Sequence, residues 1–176
     1  MLSVVSGFSR HSLERIQTIN VATKTLTEKD SGTIFLLDRA AGINITLPSC
    51  RAGLYYEFFV VTTFTGSFQI NSASSSDKFF PGSVLMYWPH GTGSVTGGHQ
   101  ILKWDRSKLE ASPGEYGFVR PDINDHKYSS TAANKGRHYG TRLIFKGLND
   151  GLWNVEGAIF HDSSNFSSPF GTGSAT

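Results

Sequence analysis

At 176 residues the chain is long enough to bury one core without staples, and a net charge of +2 gives no ground for a nucleic-acid partner. Cys50 is the single cysteine, which excludes an internal disulfide and any Cys-x-x-Cys metal site, and it reads as a small buried hydrophobe. No window reaches the roughly 18 to 20 apolar residues of a membrane helix, residues 1–16 lack the apolar core of a signal peptide, and a soluble chain made in a cytoplasm is expected.

Residues 1–19 read as an arm. Leu13, Ile16 and Ile19 fall three apart and Ser12 can cap a turn, but the pattern covers barely two turns, so a partner-ordered arm is expected, with a short helix as the alternative. From Asn20 the period becomes two. "NVATKTLT" alternates as a strand, and "EKDSG" supplies a turn. "TIFLLD" is apolar on both faces, as a strand enclosed in a core should be. "INITLP" puts Ile43, Ile45 and Leu47 on one face and ends at Pro48, which cannot donate to a ladder. "LYYEFFVVTT" is a long aromatic strand whose Glu57 must find water, a partner or an edge. "GSFQINS" follows, then "SASSSDKFF" as an exposed loop, then "GSVLMYWPHG" and "HQILKWD" as strands around "GTGSVTGG".

Residues 105–140 show little periodicity and are too long for an ordinary connection, so they read as an irregular excursion. "TRLIFKGL" and "LWNVEGAIF" then form a hairpin around Asn149-Asp150-Gly151, where Asp-Gly signals a tight turn. A Ser/Gly-rich tail at 163–176 closes the chain. The expected fold is all-β: one sandwich or barrel-like domain of jelly-roll type over 20–162, with about eight to ten strands and no repeat long enough for a solenoid.

The search for chemistry yields no catalytic residue, metal site or cofactor. His11, His90, His99, His126, His138 and His161 never stand at metal-ligand spacing from another His or the Cys. "GTGSVTGG" has the Gly content of a phosphate cradle without its Lys-Ser/Thr ending, and no Gly-x-Ser-x-Gly elbow occurs. Asp122 and Asp125 read as a solvated loop pair. Two segments stand out as contact surfaces instead. The arm offers Leu2, Val4, Val5 and Phe8 with Arg10 and Arg15, apolar side chains with no core of their own. The stretch 120–146 interleaves Arg120, His126, Lys127, Arg137, His138 and Arg142 with Tyr128 and Tyr139. A solvated loop is the plain alternative for the second, and nucleic acid is disfavoured by the small total charge.

Leu26, Thr27, Asp30, Ser31 and Gly32, then Thr46, Leu47 and Pro48, then Ala52 and Gly53, follow the spelling L-T-x-x-D-S-G, strand, x-T-L-P, A-G, aromatic strand. Gly151, Trp153 and Val155 supply a matching end. Over residues 20–160 this resembles a β-rich module of tailed-bacteriophage virion proteins, found in capsid decoration proteins and in head or tail fibres. The resemblance implies a non-enzymatic structural protein, trimeric, on the capsid surface of the virion, with the major capsid protein as partner. It equally admits a trimeric fibre domain that binds a host receptor or glycans, with Trp88, Trp104 and Tyr87 as stacking platforms. A small lyase or hydrolase is the remaining rival, and no motif supports it.

Overall fold

The computed structural model describes residues 15–80, 84–87, 116–119, 127–130, 139–160 and 170–171. The chain starts by alternating between two sheets. Strands β1 (Arg15–Ile19), β3 (Thr33–Leu37) and β5 (Tyr55–Val60) lie side by side and parallel in the larger sheet. Strands β2 (Thr23–Thr25), β4 (Ile43–Thr46) and β6 (Phe68–Asn71) do the same in the smaller one. Each consecutive pair is one turn of a flattened coil. The all-β class is as the sequence indicates, whereas the parallel coil replaces the pairing expected of a jelly roll.

A faint repeat underlies the coil. Thr-Leu followed by five residues and Gly is spelled by Thr25–Gly32 and again by Thr46–Gly53. Leu26 and Leu47 are buried, and their N–H groups donate to the Thr46 and Asn71 carbonyls of the next turn, both at 2.8 Å. Gly32 (φ 79°) and Gly53 (φ 86°) take the left-handed conformation that swings the chain back to the larger sheet.

The second half closes onto this coil. Strand β11 (Arg142–Asn149) pairs antiparallel with β5 and with β12 (Leu152–Phe160), so the larger sheet runs β1-β3-β5-β11-β12 and continues to β8 (Val84–Tyr87) and β9 (Tyr116–Val119). Strand β7 (Lys78–Phe80) also pairs with β12. In the smaller sheet, β10 (Lys127–Ser130) pairs with β6 and with β13 (Phe170–Gly171). The Asp150-Gly151 turn forms as expected, with a bulge between Gly147 and Asn149. A Cβ on Gly147 would stand 1.9 Å from the Arg51 carbonyl oxygen, so only glycine lets the coil turn approach the hairpin this closely.

Inward residues of both sheets make one core. Phe35, Tyr56, Phe58, Phe145 and Trp153 from the larger sheet meet Ile43, Ile45, Phe68 and Ile70 from the smaller. Aromatic rings carry much of the packing: Phe35–Phe58 centroids lie 5.5 Å apart, Phe58–Phe145 5.8 Å and Phe79–Phe145 5.4 Å.

Four boundaries differ from the sequence reading. Residues 15–19 of the expected arm are strand β1, extended and not helical, because Arg15, Gln17 and Ile19 alternate toward the core side of β3. The expected loop "SASSSDKFF" contains β7, with Phe79 in the core and Asp77 accepting the Cys50 N–H at 3.1 Å. The excursion contributes β9 to one sheet and β10 to the other, and the tail contributes β13. The expected strand "HQILKWD", the "GTGSVTGG" turn, Trp88 and Trp104 lie outside the described residues.

Candidate contact surfaces

The residues at the front of the sequence resemblance build the coil, whereas Gly151, Trp153 and Val155 belong to the β11–β12 hairpin. Asp30 ends a single helical turn, Glu28–Asp30, and its carboxylate accepts from both the N–H and the hydroxyl of Thr27 at 2.8 Å. The Thr27 carbonyl accepts the Tyr56 hydroxyl at 2.9 Å, which ties the turn to the core. The Ser31 hydroxyl accepts the Tyr55 N–H at 3.1 Å, and the Gly32 N–H donates to the Tyr55 carbonyl at 2.8 Å. Leu26, Thr27, Asp30, Ser31 and Gly32 are one piece of turn carpentry.

Burial alone would raise the Asp30 carboxyl, but the Thr27 bonds and the charges of Lys24 and Arg15 outweigh it and hold the group below the ordinary carboxylate value. A depressed folded pKa contributes stability that is complete above the unfolded value, near 4, and is lost as pH falls through the folded value. Asp30→Ala is therefore expected to cost roughly 1 kcal/mol at pH 7 and progressively less toward pH 2. Paired urea titrations at the two pH values check this, and an equal deficit at both would show that the carboxylate charge is irrelevant.

Of the residues singled out as contacts, the structure describes Arg15, Lys127, Tyr128, Tyr139 and Arg142. Leu2, Val4, Val5, Phe8, Arg10, Arg120, His126, Arg137 and His138 lie outside the described residues. Arg15 is exposed on β1, where its guanidinium donates to the Lys29 carbonyl at 3.0 Å. Lys127 is half-buried on β10. Tyr128 is a correction: it is fully buried, its ring tilts against Phe68 at 5.3 Å, and burial pushes its phenol up. Its neighbours in sequence are polar, but alternation on β10 aims it inward. Tyr139 does stand out at 70% exposure, with its N–H donating to the Thr63 hydroxyl at 3.3 Å.

Arg142 answers the question that Glu57 posed in the sequence. Glu57 is 5% exposed on β5, yet it faces away from the core. Arg142 Nε donates to Glu57 Oε1, the Tyr55 hydroxyl donates to Oε2, and the guanidinium sits 5.4 Å above the Phe59 ring. On the same outer face Lys146 pairs with Glu156 at 2.9 Å, and this bond lowers the Glu156 pKa against the effect of burial.

The two outer faces differ in chemistry, which the sequence reading missed. The smaller sheet presents Thr23, Thr25, Asn44, Thr46, Gln69 and Asn71, with Asn71 Nδ2 donating to Asn44 Oδ1 at 2.7 Å. The larger sheet presents Ile16, Ile34, Leu36, Phe59 and Ile144 around its two ion pairs. The signal was present in "TIFLLD" and "YYEFFVV", which are apolar at both odd and even positions.

Cys50 offers no nucleophile: its thiol is buried against the Asn149 carbonyl at 3.3 Å, and burial with the Asp77 charge pushes it up to about 12. Among the described residues no three His, Cys, Asp or Glu side chains stand together as metal ligands, and no helix is long and apolar enough to cross a membrane. No protein-family model, curated protein or solved structure matches the chain.

Proposed function

We propose that the chain is a structural virion protein that decorates a phage capsid as a trimer, binding the outer surface over joints between major capsid subunits. The observation that carries this reading is the placement of the resemblance residues. Asp30, Ser31, Gly32 and Gly53 are spent on making a coil turn tight, so the sequence pattern specifies a stiff body. A cement needs such a body, because a flexible one would give up at the joint the free energy its contacts supply. Each copy needs only modest affinity, since many copies on one shell multiply through avidity.

In this reading the arm makes the capsid contact. Burial of three of Leu2, Val4, Val5 and Phe8 contributes about 1.5 to 3 kcal/mol each, before the cost of ordering the segment. Because β1 belongs to the sheet, the segment to remove is 1–14. Its deletion is expected to leave the melting temperature within about 2 °C and to lower occupancy on purified capsids at least about tenfold. Unchanged occupancy would remove the arm from the contact and leave Tyr139 and its neighbours as the alternative.

The fibre reading draws on one observation, the parallel coil, a form that lengthens by adding turns. Copy number per particle separates the two: hundreds for a decoration protein and a few tens at most for a fibre.

A further inference from the structure

We infer that the open edge of β1 is a docking site for an extended, acidic strand of the capsid protein. The inference rests on the proposed function and names the backbone surface through which the arm's contact continues into the folded body. Strands β1 and β2 end their respective sheets, both at the first turn of the coil. The Asp38 N–H donates to the Ile19 carbonyl, so Arg15, Gln17 and Ile19 turn their backbone groups to β3. Peptide groups alternate sides along a strand. Ile16 and Thr18 therefore present theirs at the outer edge, where no described residue pairs with them. Donors and acceptors at a strand's own spacing fit the backbone of another extended chain, and neither a sugar nor a lipid surface offers that match. Exposed Ile16 and Val21 add apolar area beside the edge.

The charged side chains at this end choose among extended chains. Arg15 and Lys24 stand on the core-facing sides of β1 and β2, in register with Thr33 and Ile45. Lys29 lies in the adjoining turn, its carbonyl held by Arg15. Asp30 is the carboxylate that answers Arg15 and Lys24, while Glu28 pairs with Arg51. Three cations thus face one uncommitted carboxylate among the described residues. A second copy docked edge to edge would set the same cations against each other. A strand with carboxylates opposite Arg15 and Lys24 gains attraction instead. The arm runs without a break into β1 at Arg15, so a capsid surface that holds residues 1–14 lies beside this edge.

The test compares occupancy on purified capsids for the full chain, Thr18→Pro and Thr18→Ala, with a melting curve of each. Proline deletes the outward Thr18 N–H and leaves the ladder to β3 whole, a change that edge strands tolerate. Thr18→Pro is expected to lower occupancy at least about tenfold while the melting temperature stays within about 3 °C. Thr18→Ala keeps the N–H and is expected to leave occupancy unchanged. Raising salt from about 50 to 500 mM is expected to weaken wild-type occupancy several-fold. Hydrogen exchange on the wild type needs no variant: the Ile16 and Thr18 amides are expected to exchange rapidly in the free chain and slowly on capsids. A wild-type chain that does not occupy capsids would overturn the proposed function and this inference together. Wild-type occupancy that Thr18→Pro retains, an equal loss in Thr18→Ala, indifference to salt, or no added protection at Ile16 and Thr18 would overturn the inference alone.

Discussion

Trp153→Ala is expected to lower the unfolding free energy by about 3 to 5 kcal/mol, while Trp153→Phe costs about 1 kcal/mol or less. Trp153 lies on β12 opposite Gly147, fully buried, with its ring edge-on to Tyr56 at 5.8 Å. Truncation to Ala empties the largest of the fully buried side chains and deprives Tyr56 of its packing partner. Tyr56 in turn holds the Thr27 carbonyl, so the loss reaches the turn that launches β3. The Phe variant separates packing from polarity. The indole Nε1 is buried without a hydrogen-bond partner among the described residues, so removing it costs no bond and relieves a desolvated donor. Urea midpoints of the two variants check the contrast. A wild-type midpoint for Trp153→Ala would place the residue outside the core, and equal losses for both variants would mean that the indole is bonded in solution.

Strands β3, β4, β5, β11 and β12 were legible because each has an inward set of side chains at period two and clear punctuation at its ends: Gly32, Pro48, Gly53 and the Asp150-Gly151 turn. The Asp150-Gly151 turn also marked β11 and β12 as partners, but the partners of β3, β4 and β5 were not legible. Alternation records which face of a strand is buried and says nothing about which strand lies beside it. Here the neighbour in space is two strands away in sequence. Strand β1 escaped because Leu13, Ile16 and Ile19 share a spacing of three, while the residues on its core side are Arg15, Gln17 and Ile19, two of them polar as an edge permits. In β10 a single inward aromatic, Tyr128, flanked by Lys127 and Ser129, left no pattern to count.

The contact surfaces were less legible for a related reason. Glu57 in an aromatic strand signalled that something must neutralise it, but the answer, Arg142, comes from a strand far along the chain whose placement only the fold supplies. The basic-aromatic stretch looked like one surface because its residues are adjacent in sequence. Among its described residues the fold separates Tyr128, in the core, from Lys127 on the smaller sheet and Arg142 on the outer face of the larger.

Deleting residues 1–19 is expected to cost about 3 kcal/mol or more and to lower the melting temperature by roughly 6 to 12 °C, in contrast to the nearly neutral deletion of 1–14. The five residues that distinguish the two truncations are β1. It runs parallel to β3 from Arg15 opposite Thr33 to Ile19 opposite Leu37, and the Asp38 N–H donates to the Ile19 carbonyl at 2.9 Å. Ile19 is buried against the core that contains Phe35 and Leu37. Without β1 that packing is lost, and β3 is left as the edge strand with its outward N–H and C=O groups turned to water. Ile19→Ala alone should reproduce about 2 kcal/mol of the loss, since it removes the core contact and keeps the ladder. Melting curves of the full chain, both truncations and Ile19→Ala form the comparison. If the 1–19 deletion melts with the full chain, β1 contributes no stability, and any capsid contact then extends through Ile19; if the 1–14 deletion already melts as low, the stabilising contacts begin before Arg15 and the arm is part of the folded body.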